Sequence, residues 1–125
     1  MTSELLKGLI GLTDKPVMVS GGFTTAADLE LVRKHGIAKV VEQRADFPFV
    51  AVSPQCPSDS TWMTETDGVV ALLDDIVARY LVDTDRLYLT GLSMGGYGTW
   101  DLGLSYPEKF AAIVPICGGG QMISL

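Results

Sequence analysis

The stretch that decides the reading runs from Asp85 to Trp100, DRLYLTGLSMGGYGTW. Arg86 to Thr90 (RLYLT) is a short run of strand-forming residues. Gly91, Leu92, Ser93, Met94 and Gly95 follow as G-x-S-x-G, and Met94 to Ser105 then reads as a helix despite its glycines. In a chain with 14 glycines the bare pattern says little; its place between a strand and a helix is what gives it meaning. A serine there sits in strained backbone at the tip of a sharp turn, with its hydroxyl thrown out to solvent, and the flanking glycines let the neighbouring chain approach without Cβ clashes. The helix starts at once, so its first amides, that of Met94 in particular, face the spot where a developing oxyanion would sit. The competing reading takes Ser93 as a plain helix N-cap, which accounts for the serine but not for Gly91, Gly95 and Gly96 together.

Outward from that turn, short apolar runs alternate with helical patterns. Pro16 to Ser20 (PVMVS) reads as a buried strand ending in a turn at Gly21 and Gly22. Thr25 with Asp28 resembles a capping box, Ala26, Leu29 and Val32 form an apolar stripe, and Gly36 stops that helix. A short helix follows from Ala38 to Gln43. Phe49 to Ser53 (FVAVS) is the next strand, closed by Pro54, and Gln55 to Met63 is a polar loop holding Trp62. Val69, Leu72, Leu73, Ile76, Val77 and Tyr80 fall on one face of an amphipathic helix that Thr64 or Thr66 is available to cap. Ala112 to Ile116 (AIVPI) is the fourth strand. The expected class is α/β, a single domain over residues 1–125, with about four parallel strands joined by right-handed crossovers and helices on both faces. Sites in such sheets form beyond the carboxyl ends of the strands, which selects three loops: Gly21 to Thr24, Pro54 to Met63 and Gly91 to Gly95.

Composition narrows the partners. Nine Lys and Arg against 15 Asp and Glu give a formal charge of −6 over 125 residues, and 47% of residues are hydrophobic. That is enough apolar mass for a core, with no basic stripe to replace the counterions of a nucleic acid. No run approaches the roughly 18–20 apolar residues of a membrane span, and Glu4 stands where a signal peptide would carry a cation, so the expected location is cytoplasmic. Cys56 and Cys117 have no metal-ligand spacing with His35, the single histidine; both are expected as buried reduced thiols, and no metal or cofactor signature appears.

Trp62, on a loop at the active edge, and Tyr97 and Trp100, just past the turn, are candidates to line an acyl or alcohol pocket; Tyr97 and Trp100 are also spaced as core residues on a helix. Asp74 and Asp75 do not share a helix face and read as solvated surface, while Asp83 and Asp85 bracket a turn, where Asp bonds the backbone. His35, at the far end of its helix and roughly 15 Å from the helix start, faces the wrong sheet edge to serve Ser93 as a base. Beside the last carbonyls of that helix it is favoured by the helix dipole.

The stretch DRLYLTGLSMGGYGTWDLGLSYPEKFAAIVPICGGG, with KHGIAKVVE and DFPFVAVSPQCP upstream, resembles the α/β-hydrolase superfamily, in particular its phospholipase/carboxylesterase and predicted-peptidase group. The resemblance covers Asp28 to Gly120 and implies a partial α/β-hydrolase fold and hydrolysis of short-chain carboxylic esters, with Ser93 as acyl nucleophile and the Met94 N–H as one oxyanion donor. The other donor would come from the loop after the first strand. Where the group usually has His-Gly, this loop reads Ser20, Gly21, Gly22, Phe23, which carries the role onto the Gly22 N–H, with the neighbouring Phe23 N–H as the alternative. The acid and histidine that complete the group's triad follow later strands; after Ser93 this chain has only Asp101 and Glu108 and no histidine, so it looks truncated after the nucleophile half. The corresponding expectations are a second copy or a missing partner segment beside the fourth strand, or, in a different class, a non-catalytic half-hydrolase serving assembly. A binding protein using the turn's amides as an anion nest is a third reading.

Overall fold

A computed structural model describes residues 17–19 and 36–120. Its elements are β1 (Val17–Val19), α1 (Gly36–Gln43), β2 (Val50–Val52), α2 (Thr66–Arg79), a 3-10 turn (Thr84–Arg86), β3 (Leu87–Leu92), α3 (Met94–Ser105) and β4 (Ala112–Ile116). The four strands form one parallel sheet in the order β2-β1-β3-β4. The helix expected from Thr25 lies outside the described residues.

The strand order makes the connections run one way from β1 to β2 and the other way from β2 through β3 to β4. With right-handed crossovers this puts α2 and α3 on one face and α1 on the other. β2 is buried at all three of its residues, as a strand covered on both faces must be. The reversal falls between β1 and β3, where Val19 stands opposite Leu89 and β3 runs three residues further to Leu92; crevices open beyond the carboxyl ends at such switch points.

The core lies between the sheet and α2–α3. Leu73 and Ile76, from the apolar face of α2, are 2% and 0% exposed and meet Val50, Val52, Leu87, Leu89 and Leu102, with Val69, Leu72, Val77 and Tyr80 packed around them. Full burial of each such side chain is worth about 1.5–3 kcal/mol. The start of α2 differs from expectation. Glu65 holds the N-cap position without a side-chain cap bond, and neither threonine caps the helix; the Thr66 hydroxyl donates instead to the Met63 carbonyl and to Asp101 Oδ2, both at 3.1 Å. Asp83 behaves as expected at its turn: it accepts the Asp85 N–H at 3.0 Å and the Arg86 Nε–H at 2.6 Å, and these bonds hold its carboxyl below the ordinary carboxylate pKa. Asp75 pairs with Arg79 at 2.8 Å and Asp74 with Lys109 at 3.0 Å, exposed pairs of little stabilising weight.

β3 runs two residues further than expected, to Leu92, leaving Ser93 alone to make the turn into α3. The glycines of α3 let it lie close on β4: a Cβ on Gly103 would come within 2.8 Å of Ile113 Cδ1. Ile113 and Pro115 are half-buried, whereas Val114 and Ile116, on the opposite face, are 55% and 46% exposed. Pro115 stands opposite Gly91. Because Ile116 turns its carbonyl toward Ser93, the ladder's alternation turns the Pro115 peptide nitrogen to the open side of β4. Among the described residues no helix is long and apolar enough to cross a membrane.

Candidate active site

At the carboxyl end of β3, Ser93 has φ 55° and ψ −111°, a conformation that L side chains rarely adopt. Ser93 is exposed, and its side chain makes no cap bond to α3, so the plain N-cap reading fails. Backbone bonds hold the turn from two sides. The Ser93 N–H donates to the Ile116 carbonyl at 2.8 Å, and the Tyr97 N–H donates to the Ser93 carbonyl at 3.0 Å. Gly91 is required by close approach: a Cβ there would overlap the backbone carbonyl of Gly95. The first-turn amides of α3, beginning with Met94, have no acceptor inside the helix and carry the positive end of its dipole.

Beside the turn, an open cleft lies between α2, α3 and the sheet, lined by Pro54, Trp62, Thr66, Val69, Leu89 and Gly95 among others. Gly95, two residues from Ser93, marks its near end. Trp62 is half-buried and packs so close on α3 that a Cβ on Gly98 would overlap the Trp62 Cβ. The Thr66–Asp101 hydrogen bond ties the base of that loop to the same helix. Thr99, 2% exposed, donates its hydroxyl to the Gly95 carbonyl at 2.7 Å, so this buried polar group is satisfied within α3.

Of the residues singled out in the sequence, Ser93, Met94 and Trp62 gather at this end of the sheet. Tyr97, one turn past Ser93, is 47% exposed and is not among the residues lining the cleft. Gly22, Phe23 and His35 lie outside the described residues. Cys56 is buried as expected, at 4% exposure, and burial, with Glu65 and Asp59 adding repulsion, pushes its thiol pKa above the ordinary value. Cys117 departs from expectation: it is exposed, with φ 51°, because it ends β4 and turns the chain out of the sheet instead of entering the core. Among the described residues no three His, Cys, Asp or Glu side chains gather as a metal site. Sequence reasoning passed over Thr99 and took Thr66 only as a cap and Ile116 only as a strand residue; the parts they play here depend on which elements pack together.

No family model matches the chain. It is 28% identical over 90 residues to a poly(3-hydroxyoctanoate) depolymerase of Pseudomonas fluorescens, covering 60% of this chain and 32% of that protein. It is 36% identical over 75 residues to a bifunctional acetylxylan esterase/xylanase of Neocallimastix patriciarum, covering 56% of this chain and 11% of that protein. The chain thus spans a third or less of these relatives' length. Among solved structures, a thermostable esterase superposes with a TM-score of 0.66 at 32% identity, over 86% of this chain and 34% of that one. A superposition over most of the chain makes the fold plain: this chain carries part of an α/β-hydrolase fold, and the proteins it resembles are esterases and depolymerases.

Proposed function

We propose that the protein is a serine-dependent hydrolase of carboxylic esters, taking small substrates with short acyl chains. The observation that carries this is the backbone of Ser93: an exposed serine held at positive φ on the tip of a strand-to-helix turn, its side chain not used as a cap. In this reading Ser93 Oγ attacks the ester carbonyl, its proton passes to a base, and the carbonyl oxygen takes the negative charge. The Met94 N–H, with the Gly22 amide, stabilises that oxyanion. Collapse expels the alcohol and leaves an acyl-enzyme, which water then cleaves. The cleft under Trp62 is the space next to Gly95 in which an acyl chain is accommodated. No histidine stands among the described residues near Ser93, so the base comes from outside them, from a second copy or from a further segment. Without it, oxyanion stabilisation and binding alone leave about 10³–10⁴-fold acceleration over water.

The test compares hydrolysis of a short-chain p-nitrophenyl ester by wild type and Ser93→Ala, with mass spectrometry after a fluorophosphonate probe. Turnover lost in Ser93→Ala, with Ser93 alone labelled in wild type, is the expected result. Equal activity in the two proteins and no adduct would retire the enzyme in favour of a non-catalytic half-hydrolase. Association is part of the same reading, since Val114 and Ile116 leave apolar surface on β4 uncovered among the described residues. A monomer by light scattering at micromolar concentration argues against it.

A further inference from the structure

We propose that the end of β4, Ile116-Cys117-Gly118, is a positioning element for the serine turn, setting the direction of Ser93 and of the first amides of α3; this rests on the reading of Ser93 as nucleophile. Two contacts grip the turn. The Ile116 carbonyl accepts the Ser93 N–H at 2.8 Å. Cys117 then takes φ 51°, which swings the chain out of the sheet and brings Gly118 under the first turn of α3. The approach is so close that a Cβ on Gly118 would overlap the Gly96 carbonyl carbon and the Tyr97 amide nitrogen, while a Cβ on Gly96 would lie 2.5 Å from the Ile116 carbonyl oxygen.

The chemical consequence concerns which amides remain available. The Ser93 N–H is spent on Ile116, so charge on a substrate oxygen falls to the next amide, that of Met94. Where that amide points depends on how the peptide units from Ser93 to Tyr97 are seated, and they are seated on Ile116 and Gly118. Cys117 contributes through its backbone angle; its exposed thiol has no part in the step. A displacement of about 1 Å at such a site is enough to cost on the order of a hundredfold in rate.

The experiment measures the second-order rate of fluorophosphonate labelling of Ser93, beside the melting temperature, in wild type and four variants. Gly118→Ala is expected to slow labelling by roughly ten- to a hundredfold. Gly103→Ala, whose Cβ would crowd Ile113 at the far end of the same helix–strand contact, is expected to lower the melting temperature and leave the labelling rate as in wild type. Cys117→Gly, which takes positive φ without penalty, is expected to keep the rate, and Cys117→Val, whose branched Cβ opposes that angle, to lose it. This pair keeps the test decisive should Gly118→Ala fail to fold. Labelling at the wild-type rate in both Gly118→Ala and Cys117→Val overturns the proposal, as does equal slowing in Gly103→Ala, which would make the effect general packing. If Ser93 is unlabelled in wild type, the nucleophile reading falls and takes this one with it; labelled wild type with unaffected variants removes the positioning role alone.

Discussion

Ser93 and Cys117 follow paired residues of adjacent parallel strands, Leu92 and Ile116, and both have positive φ, at 55° and 51°. The sheet therefore ends at one level on β3 and β4, and each strand leaves it through a residue whose side chain disfavours the angle it holds.

That angle has an energetic cost at Ser93 that glycine would not bear. A non-glycine residue held there costs about 1–3 kcal/mol, while glycine returns roughly 0.5–1 kcal/mol through the freedom of the unfolded chain. Ser93→Gly is expected to raise stability by about 1 kcal/mol and to bring ester hydrolysis to background. Thermal melting together with the p-nitrophenyl assay checks both; a lower melting temperature would show that the turn stores no strain.

The cleft gives a prediction about acyl length. Trp62→Ala opens it on one side, and the ratio of kcat/KM for hexanoyl over acetyl p-nitrophenyl esters is expected to rise severalfold. Gly98→Ala, whose methyl would overlap the Trp62 Cβ, is expected to change the ratio as well, since Trp62 has to move. An unchanged ratio in both variants would remove the cleft from acyl binding.

Ile76 is 0% exposed at the centre of the core. Ile76→Ala is expected to cost about 2–5 kcal/mol and Ile76→Val about 0.5–1.5 kcal/mol, read from urea midpoints. Such a loss is a large share of a small domain's stability, so the alanine variant is expected to melt at far lower temperature.

The cysteines should separate chemically. In the folded protein iodoacetamide is expected to modify exposed Cys117 and to spare Cys56 until denaturant is added, as read by peptide mass spectrometry. The raised pKa of Cys56 also sets a pH dependence. A thiol that holds its proton more tightly when folded contributes stability that is complete below the ordinary thiol pKa and is lost as pH climbs through the raised folded value. Cys56→Ala is expected to flatten the alkaline fall in urea midpoint above about pH 9, relative to wild type.

Much of this was legible in the sequence because it depends on local patterns. The apolar spacing from Val69 to Tyr80 settles α2, and the G-x-S-x-G between RLYLT and a helical run settles the turn at Ser93. Element ends were less legible. β3 continues to Leu92 because the strand stays paired to β4 as far as Ile116, a tertiary fact with no signature in RLYLT. Thr66 resembles a cap by type, but its hydroxyl is drawn to Asp101, 35 residues away in sequence. Cys117 follows an apolar run and so reads as core; its exposure arises from the turn that seats Gly118 under α3. The grip of Ile116 on Ser93 lies between main-chain atoms and leaves no trace in side-chain identity.

The proline in β4 bears on what the molecule avoids. Among the described residues no strand pairs with the far side of β4; a strand approaching from there needs an unbroken row of donors and acceptors to zip along, and Pro115 leaves a gap in the donors of that row. Recruitment of a stray extended chain, the first event of fibril growth, is thereby made costly along that side of β4.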